Sequence, residues 1–502
     1  CELHGISAGY SDSLNLEDGR LTLKEAKELS RVAYLPLERV GESPCSREDV
    51  LAILKPLLED ASVAKLVYDA KWATNALSLY GISLKGVVFD PMLASYILNP
   101  DEKHKLADQY ASILSRRLPE LPSAGAKRNI NLEFLPMSQL AEVTAEEARA
   151  VHDLSVTYVK ALDDDQRELL WGMDLPTSFV LARLEQNGVM LDVPYFKALG
   201  KELDADIQRL EKEIHELAGH PFNVGSPLQL QKILFEELKL PAKVKTKTGY
   251  STDAAVLEGL ADSHPIVNKI LEYRHMTKLS STYVEALPKS ISPRDGRLHG
   301  EFNQTVTSTG RLSSTNPNLQ NIPIRTELGR RIRRGFIADG ATSVLMSADY
   351  SQIELRLLAH MSGDEKLIEA FKADVDVHSQ TAGLIFDVPV GQVTDDQRRI
   401  GKTLNFALIY QQGAFATGQS LGISTKEAQG FISKYFESFP KVQLFMNRII
   451  EEGRKNGFVQ TLWGRRRYFN HLNDRNEGIR KADERAAFNA PLQGSAADLM
   501  KL

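Results

Sequence analysis

Arg398, Lys402, Phe406 and Tyr410 follow one another at intervals of four residues. On an α-helix that spacing makes one gently spiralling stripe, about 18 Å long at 1.5 Å per residue. Two cations come first and two aromatic rings second. Just upstream, Thr394-x-x-Gln397 is a capping-box pattern, and Asp395 and Asp396 suit the positive end of a helix dipole, so the spacing predicts a helix that starts there. The cations then stand in the early turns, where the dipole also favours an anion. Such a stripe matches a nucleoside triphosphate laid along the helix, with phosphates on the cations and base or sugar against a ring. Leu404 and Leu408 fall on another face, suited to packing inward. The plainer reading is a surface helix with ordinary charges and half-buried rings.

A carboxylate suited to a metal ion stands at Asp349. Val344-Leu-Met-Ser-Ala-Asp349 is an apolar run ending in an acid, and Ser351-x-x-Glu354 is a capping-box pattern opening a helix through Leu355, Leu358 and Ala359. This predicts Asp349 at the carboxyl end of a strand, where ligands commonly bind. Mg²⁺, an oxygen-seeking ion usually shared with substrate phosphates, fits such a position. The competing reading is that Asp349 only caps the helix. A third segment, Thr309 to Pro323, concentrates amide and guanidinium donors: Arg311, Asn318, Gln320 and Asn321. Asn489 and Gln493 add two more amides. The minor groove of DNA presents acceptors on A·T pairs of either orientation, so donors there check pair geometry without choosing a sequence. Taken singly, either segment also reads as ordinary loop chemistry.

The remaining elements have to position these groups. Residues 1 to about 165 read as mixed α/β, with strands at Ala64–Asp69 and Val87–Asp90, a helix through Leu98, and a loop from Arg116 to Lys127. Phe196, Leu199, Leu203, Ile207, Leu210, Ile214 and Leu217 recur at spacings of 3 or 4, predicting a long helix closed by Gly219. Leu240 to Thr252 reads as a basic, exposed tip between helices, and Phe458 to Trp463 as a strand. At 502 residues the chain exceeds one compact core. Its composition, 42% apolar and 25% charged, is that of a soluble globular protein, and no apolar run is long enough to span a membrane. Cys1 and Cys45 are the only cysteines, which excludes a disulfide framework and a zinc site and suits a reducing compartment. A net charge of −5 does not exclude nucleic acid, because phosphate binding needs only local positive charge. Such charge clusters at Arg311–Arg334, where six arginines accompany one acid, at Arg465-Arg466-Arg467, and at Lys243, Lys245 and Lys247.

These segments together resemble family A DNA polymerases, most of all the large-fragment region of the bacterial members. Asp349-Tyr-Ser-Gln-Ile-Glu-Leu-Arg356 resembles the first palm motif, and Arg398-Arg-x-x-Lys402-x-x-Asn-Phe406-x-x-x-Tyr410 the fingers-helix motif. Thr309–Pro323 resembles the segment contacting primer–template, and Asn489–Gly494 the segment before the last palm motif. The resemblance implies an α/β multidomain right-hand polymerase behind a partial ribonuclease-H-like 3′–5′ exonuclease domain. The implied bounds are exonuclease-like 1–168, thumb 169–295, first part of the palm 296–354, fingers 355–480 and second part of the palm 481–502. It implies Mg²⁺, two ions in the complete enzyme, held by Asp349 and the Tyr350 carbonyl. It also implies a dNTP pocket of Tyr350, Gln352, Ile353, Glu354, His378, Arg398, Lys402, Phe406 and Tyr410. Arg398 and Lys402 would hold the triphosphate, Glu354 would exclude a ribose 2′-hydroxyl, and Phe406 would discriminate against dideoxynucleotides. Arg311, Asn318, Gln320, Asn321, Arg485, Asn489 and Gln493 would contact DNA. The expected partners are primer–template DNA and dNTPs for a cytoplasmic, nucleoid-associated monomer acting in replication and repair.

The sequence departs from the family pattern in three places. The family's final His-Asp-Glu motif does not occur, so the 502-residue chain is expected to be inactive, with a non-catalytic primer–template binder as the alternative. Gln411 and Gln412 stand where the family usually has Gly after the Tyr. Of the exonuclease acids only Asp69 and Asp153 match, with Lys65 in place of an Asn and Arg149 in place of a Tyr, so proofreading is not expected. The first residue is not Met, which suggests that the natural N-terminus lies upstream. An RNA polymerase with a related palm is disfavoured, because Glu354 would exclude its substrate.

Overall fold

The computed structural model describes residues 5–10, 14–17, 20–23, 31–36, 46–120, 135–241, 244–246, 249–340 and 342–502. They fall into two compact units. One comprises Cys1–Leu184, Phe302–Ser313 and Ala348–Leu502, the other Glu185–Glu301 and Ser314–Ser347.

In the first unit Lys65–Leu66 pairs in parallel with Val87–Phe89, shorter than the strand signals but where they fall. Pro91–Leu98 follows at once, with Pro at its first position and Asp90 accepting from the Met92 amide as N-cap. Phe89, Leu93, Ala94 and Ile97 are buried with Leu154, Tyr158 and Val159 of the helix Met137–Ala161. Arg116–Glu120 is irregular, and the rest of the expected loop lies outside the described residues.

The helix Asp395–Ile409 starts as the capping box predicts. Thr394 Oγ1 accepts from the Gln397 amide, and Gln397 Oε1 accepts from the Thr394 amide. Leu404 and Leu408 turn inward, and Leu408 and Ile409 join a core with Leu358, Tyr435, Phe445 and Phe488. The helix lies flush against Val377–Phe386 because position 401 is Gly: a Cβ there would collide with the His378 carbonyl oxygen. Glu477–Lys501 is a 25-residue helix whose inner face includes Phe488, Leu492 and Asp498. Beneath it Arg465 donates to Asp498 at 2.7 Å and, through both terminal nitrogens, to Asp174 at 2.8 and 3.1 Å, while Lys501 donates to Asp174 at 2.8 Å. Burial alone would raise the Asp174 pKa, yet Arg465 and Lys501 hold it well below the usual carboxylate range.

One expected strand is absent and another is shorter than expected. Residues 344–349 form no strand, and Val344, Leu345 and Met346 are 87%, 58% and 86% exposed. A strand needs a ladder partner for its N–H and C=O groups, and among the described residues no segment pairs with this one. The strand from Phe458 ends at Gln460 rather than Trp463, because Thr461–Arg465 turns back, with Gly464 at φ +82°, to pair Arg466–Tyr468 with Phe458–Gln460.

The second unit is built around Val193–Ala218. Asp192 caps it through the Tyr195 amide, Pro194 lies in its first turn, and Gly219 closes it at φ +83°. Phe196, Leu199, Leu203, Leu210 and Ile214 are buried, with Ile207 and Leu217 at the margin, so the apolar stripe falls where its spacing predicts. The helix packs on Pro265–Leu279. The basic tip is a small hairpin of Lys245–Thr246 with Gly249–Tyr250, Lys245 lying over the Tyr250 ring. Lys243 and Lys247 lie outside the described residues.

Candidate functional site

The predicted ladder is real. Arg398, Lys402 and Phe406 project from Asp395–Ile409, and Tyr410 sits at its C-cap, still donating its amide to the Phe406 carbonyl. Both cations and Tyr410 are exposed and Phe406 half-buried. Arg398 is gripped on two nitrogens by Asp376, at 2.8 and 3.1 Å. Partial burial works against the Asp376 charge, but Arg398 and the Ser379 donors hold its carboxyl down at about 2. Lys402 has no ion pair among the described residues.

His378, from the neighbouring helix, lies against Phe406 with ring centroids 5.8 Å apart. The buried Asn405 carboxamide accepts from Thr381 and its Nδ2 faces His378 Nδ1 at 3.1 Å. An amide nitrogen can only donate, so Nδ1 accepts and the proton of neutral His378 resides on Nε2. Burial lowers the His378 pKa; Asp376 opposes this, and Arg398 and Lys402 add to it. His378, expected in the nucleotide pocket, is buried against Phe406 rather than exposed.

Glu354 is the second centre. Its backbone opens Ile353–Ser362, but the expected Ser351 capping box does not form: Gln352 is the N-cap, at φ +52°, with no side-chain bond. The Glu354 carboxylate instead accepts from Arg311 at 2.5 Å and from the Tyr410 hydroxyl at 3.1 Å. A charge-assisted pair to a 9%-exposed carboxylate outcompetes a solvated cap. Residues 311, 354 and 410, far apart along the chain, thereby meet at the foot of the ladder. Arg485, Asn489 and Gln493 lie one turn apart on Glu477–Lys501, and Asn489 donates to the Ile409 carbonyl, bringing that stripe to the same end of the ladder helix. Gln411 follows Tyr410 at φ +45°, a left-handed conformation that costs a non-Gly residue about 1 kcal/mol.

Asp349 and Tyr350 are exposed in the irregular segment before Gln352, and Ile353 packs partly into the core. Chain length alone holds Asp349 within roughly 18 Å of Glu354. Asn318, Gln320 and Asn321 belong to the second unit, where all three are exposed; the Asn321 carbonyl accepts from Tyr283. Of the N-terminal acids, Asp69 caps Ala70–Ser78 through the Trp72 amide at φ +54°, and Asp153 is held by Arg116 and His152. Both are engaged locally. Among the described residues no group of three or more acids, histidines or cysteines is arranged to hold a metal. Asp376, Thr381 and Asn405 were not singled out from sequence as site residues; Asp376-Val-His-Ser379 is a cap pattern that signals only a helix start.

The ladder helix thus bears two cations, rings beyond them and a carboxylate held by Arg311 and Tyr410 at its foot. Residues 193–502 match the model of DNA polymerase family A, and residues 46–120 that of the DNA polymerase I ribonuclease H-like domain; the chain belongs to DNA polymerase family A. It is similar to DNA polymerase I of Bacillus subtilis, 45% identical over 454 residues, 89% of this chain and 51% of that protein. It is also similar to a thermostable DNA polymerase I of Thermus thermophilus, 50% identical over 418 residues, 82% of this chain and 47% of that one. The POL domain of Pol1 from M. smegmatis, in complex with DNA primer-template and dNTP, superposes with a TM-score of 0.84 at 39% identity, covering 94% of this chain and 79% of that chain. The chain spans about half the length of the curated relatives it matches.

Proposed function

We propose that this chain handles primer–template DNA and dNTPs for template-directed DNA synthesis in replication and repair. The observation that carries the reading is the Arg398–Lys402–Phe406–Tyr410 ladder ending on the Glu354–Arg311 latch. Arg398 and Lys402 bind the triphosphate, and His378 offers its Nε2 proton beside them. Phe406 and Tyr410 face sugar and base. Glu354, fixed from two sides, is the group that excludes a 2′-hydroxyl. Arg311, Arg485, Asn489 and Gln493 reach the minor groove, and Asn318, Gln320 and Asn321 the strand backbone. The ligands of the similar M. smegmatis complex support the same choice of partners.

Mg²⁺ is ligated by one or two carboxylates together with substrate phosphates. Asp349, exposed and followed by Tyr350, fits one such ion shared with a bound triphosphate; alone it does not fit two. When bound, the ions polarise the α-phosphate and stabilise attacking and leaving oxygens. The residues of this chain do the positioning. The 502-residue chain is expected to be inactive in primer extension, and robust dNTP incorporation by it would overturn that expectation. The N-terminal acids, each held in a local contact, leave 3′–5′ exonuclease activity unexpected. Residues 1–168 serve as the exonuclease-like part, 169–295 as thumb, 296–354 and 481–502 as palm, and 355–480 as fingers.

The test is a gel-retardation assay of the chain on primer–template. The templated dNTP is expected to stabilise the complex, the matching rNTP is not, and Glu354→Ala narrows the difference. Equal stabilisation by both sugars, or no retention of primer–template, overturns the reading.

A further inference from the structure

The turn that presents Arg311 is held by a residue from the N-terminal, ribonuclease H-like region. Thr307 Oγ1 donates to the Arg311 carbonyl at 2.6 Å, closing the turn. Gly310, at φ +83°, leaves its empty side to Arg465, whose Cδ would lie 2.8 Å from a Cβ there. Tyr96 rises beneath from Pro91–Leu98 and is 1% exposed. Its hydroxyl donates to the Thr307 carbonyl at 2.6 Å and accepts from the Gly310 amide at 3.0 Å. One hydroxyl thus clamps both ends of a turn whose next residue is Arg311. The Arg465 guanidinium stands 5.9 Å above the Tyr96 ring, so the ring is fixed from its face as well. Burial pushes the Tyr96 pKa up to about 12, which keeps the proton available for Thr307.

We propose that Tyr96 is a positioning residue for the minor-groove contact, acting through the Thr307–Gly310 turn to hold the Arg311 guanidinium against Glu354. The N-terminal region is then a working support of the synthetic site, whatever becomes of its own acids. This rests on the reading of Arg311 as a minor-groove donor. Plain core packing would need the Tyr96 ring; positioning needs its hydroxyl, because the hydroxyl makes both hydrogen bonds to the turn's backbone.

The experiment measures, by fluorescence anisotropy, the affinity of the 502-residue chain for two hairpin primer–templates. They differ only at the primer-terminal base, adenine in one and 3-deazaadenine in the other, which lacks the minor-groove N3 acceptor. The natural chain is expected to prefer adenine about tenfold, the worth of one charge-assisted hydrogen bond. Arg311→Ala should bring the ratio to about one. Tyr96→Phe, which keeps the ring, should reduce it to about two- to threefold, and the double variant should match Arg311→Ala. Tyr158→Phe, which removes another buried hydroxyl from the same region, bonded to Gln109, should leave the ratio unchanged. A natural ratio in Tyr96→Phe, equal weakening on both duplexes with the ratio kept, or a lowered ratio in Tyr158→Phe overturns the proposal while sparing the role of Arg311. A natural chain without preference, or an unchanged ratio in Arg311→Ala, overturns both.

Discussion

Arg465 and Arg311 each grip a carboxylate within the same unit, under different conditions. The Arg465 side chain is 4% exposed, and its donors are taken by Asp174, Asp498 and the Met173 sulfur. The Arg311 side chain is 47% exposed and gives one terminal nitrogen to Glu354. In the dry interior an ion pair persists only when nearly every donor and acceptor is satisfied, because desolvation costs several kcal/mol per charge. At the rim water satisfies what the protein leaves open, so donors stay free for a ligand. The same pairing of guanidinium and carboxylate therefore makes scaffold in one place and a contact surface in the other. The Arg398–Asp376 pair, part exposed beside Lys402, belongs with the second kind.

The contrast can be broken most directly at Arg465. Arg465→Met leaves the buried Asp498 with no cation and Asp174 with Lys501 alone, and is expected to cost about 3–5 kcal/mol in urea denaturation; a loss under about 1 kcal/mol would erase the distinction. Lys402→Ala should do the reverse, leaving stability within about 0.5 kcal/mol. Its dNTP affinity in the primer–template complex should fall about 10- to 100-fold, read by titrating nucleotide into the retarded complex. His378 sharpens the comparison through pH. Its folded pKa lies below the unfolded value, so the unfolded chain binds the extra proton. Stability is then full above about pH 6.5 and declines as pH falls towards the folded pKa, by at most about 1.4 kcal/mol per unit. His378→Gln should flatten that part of a stability–pH curve. The smallest effect is expected at Asp376→Asn, up to about 1 kcal/mol at low ionic strength and vanishing in high salt. The Arg465→Met loss should persist in both.

What the sequence makes legible is local. The ladder helix, its capping box and the Gly219 stop depend on residues within a few turns of each other, and all three form where their spacing predicts. The 344–349 strand fails because a strand is defined by a partner, and composition cannot name one. The Ser351–Glu354 box fails because Glu354 has a better offer from Arg311, 43 residues away. The Asp174–Arg465 pair spans 291 residues and Tyr96–Thr307 spans 211; no periodicity encodes either. The family pattern identified Arg311 and Glu354 separately, but their bond to each other and to Tyr410 is a property of the folded chain.

The missing side chain at Gly401 has a mechanical result. With no Cβ to hold them apart, the helix carrying Arg398, Lys402 and Phe406 is seated directly on the backbone of the helix carrying His378, with Asp376 at that helix's N-cap, and Asn405 pins the interface through His378 and Thr381. The two rods form one lever, so any swing of the cations takes the imidazole along in fixed register. At the end of that lever Gln411 holds the backbone in a conformation that most residues avoid.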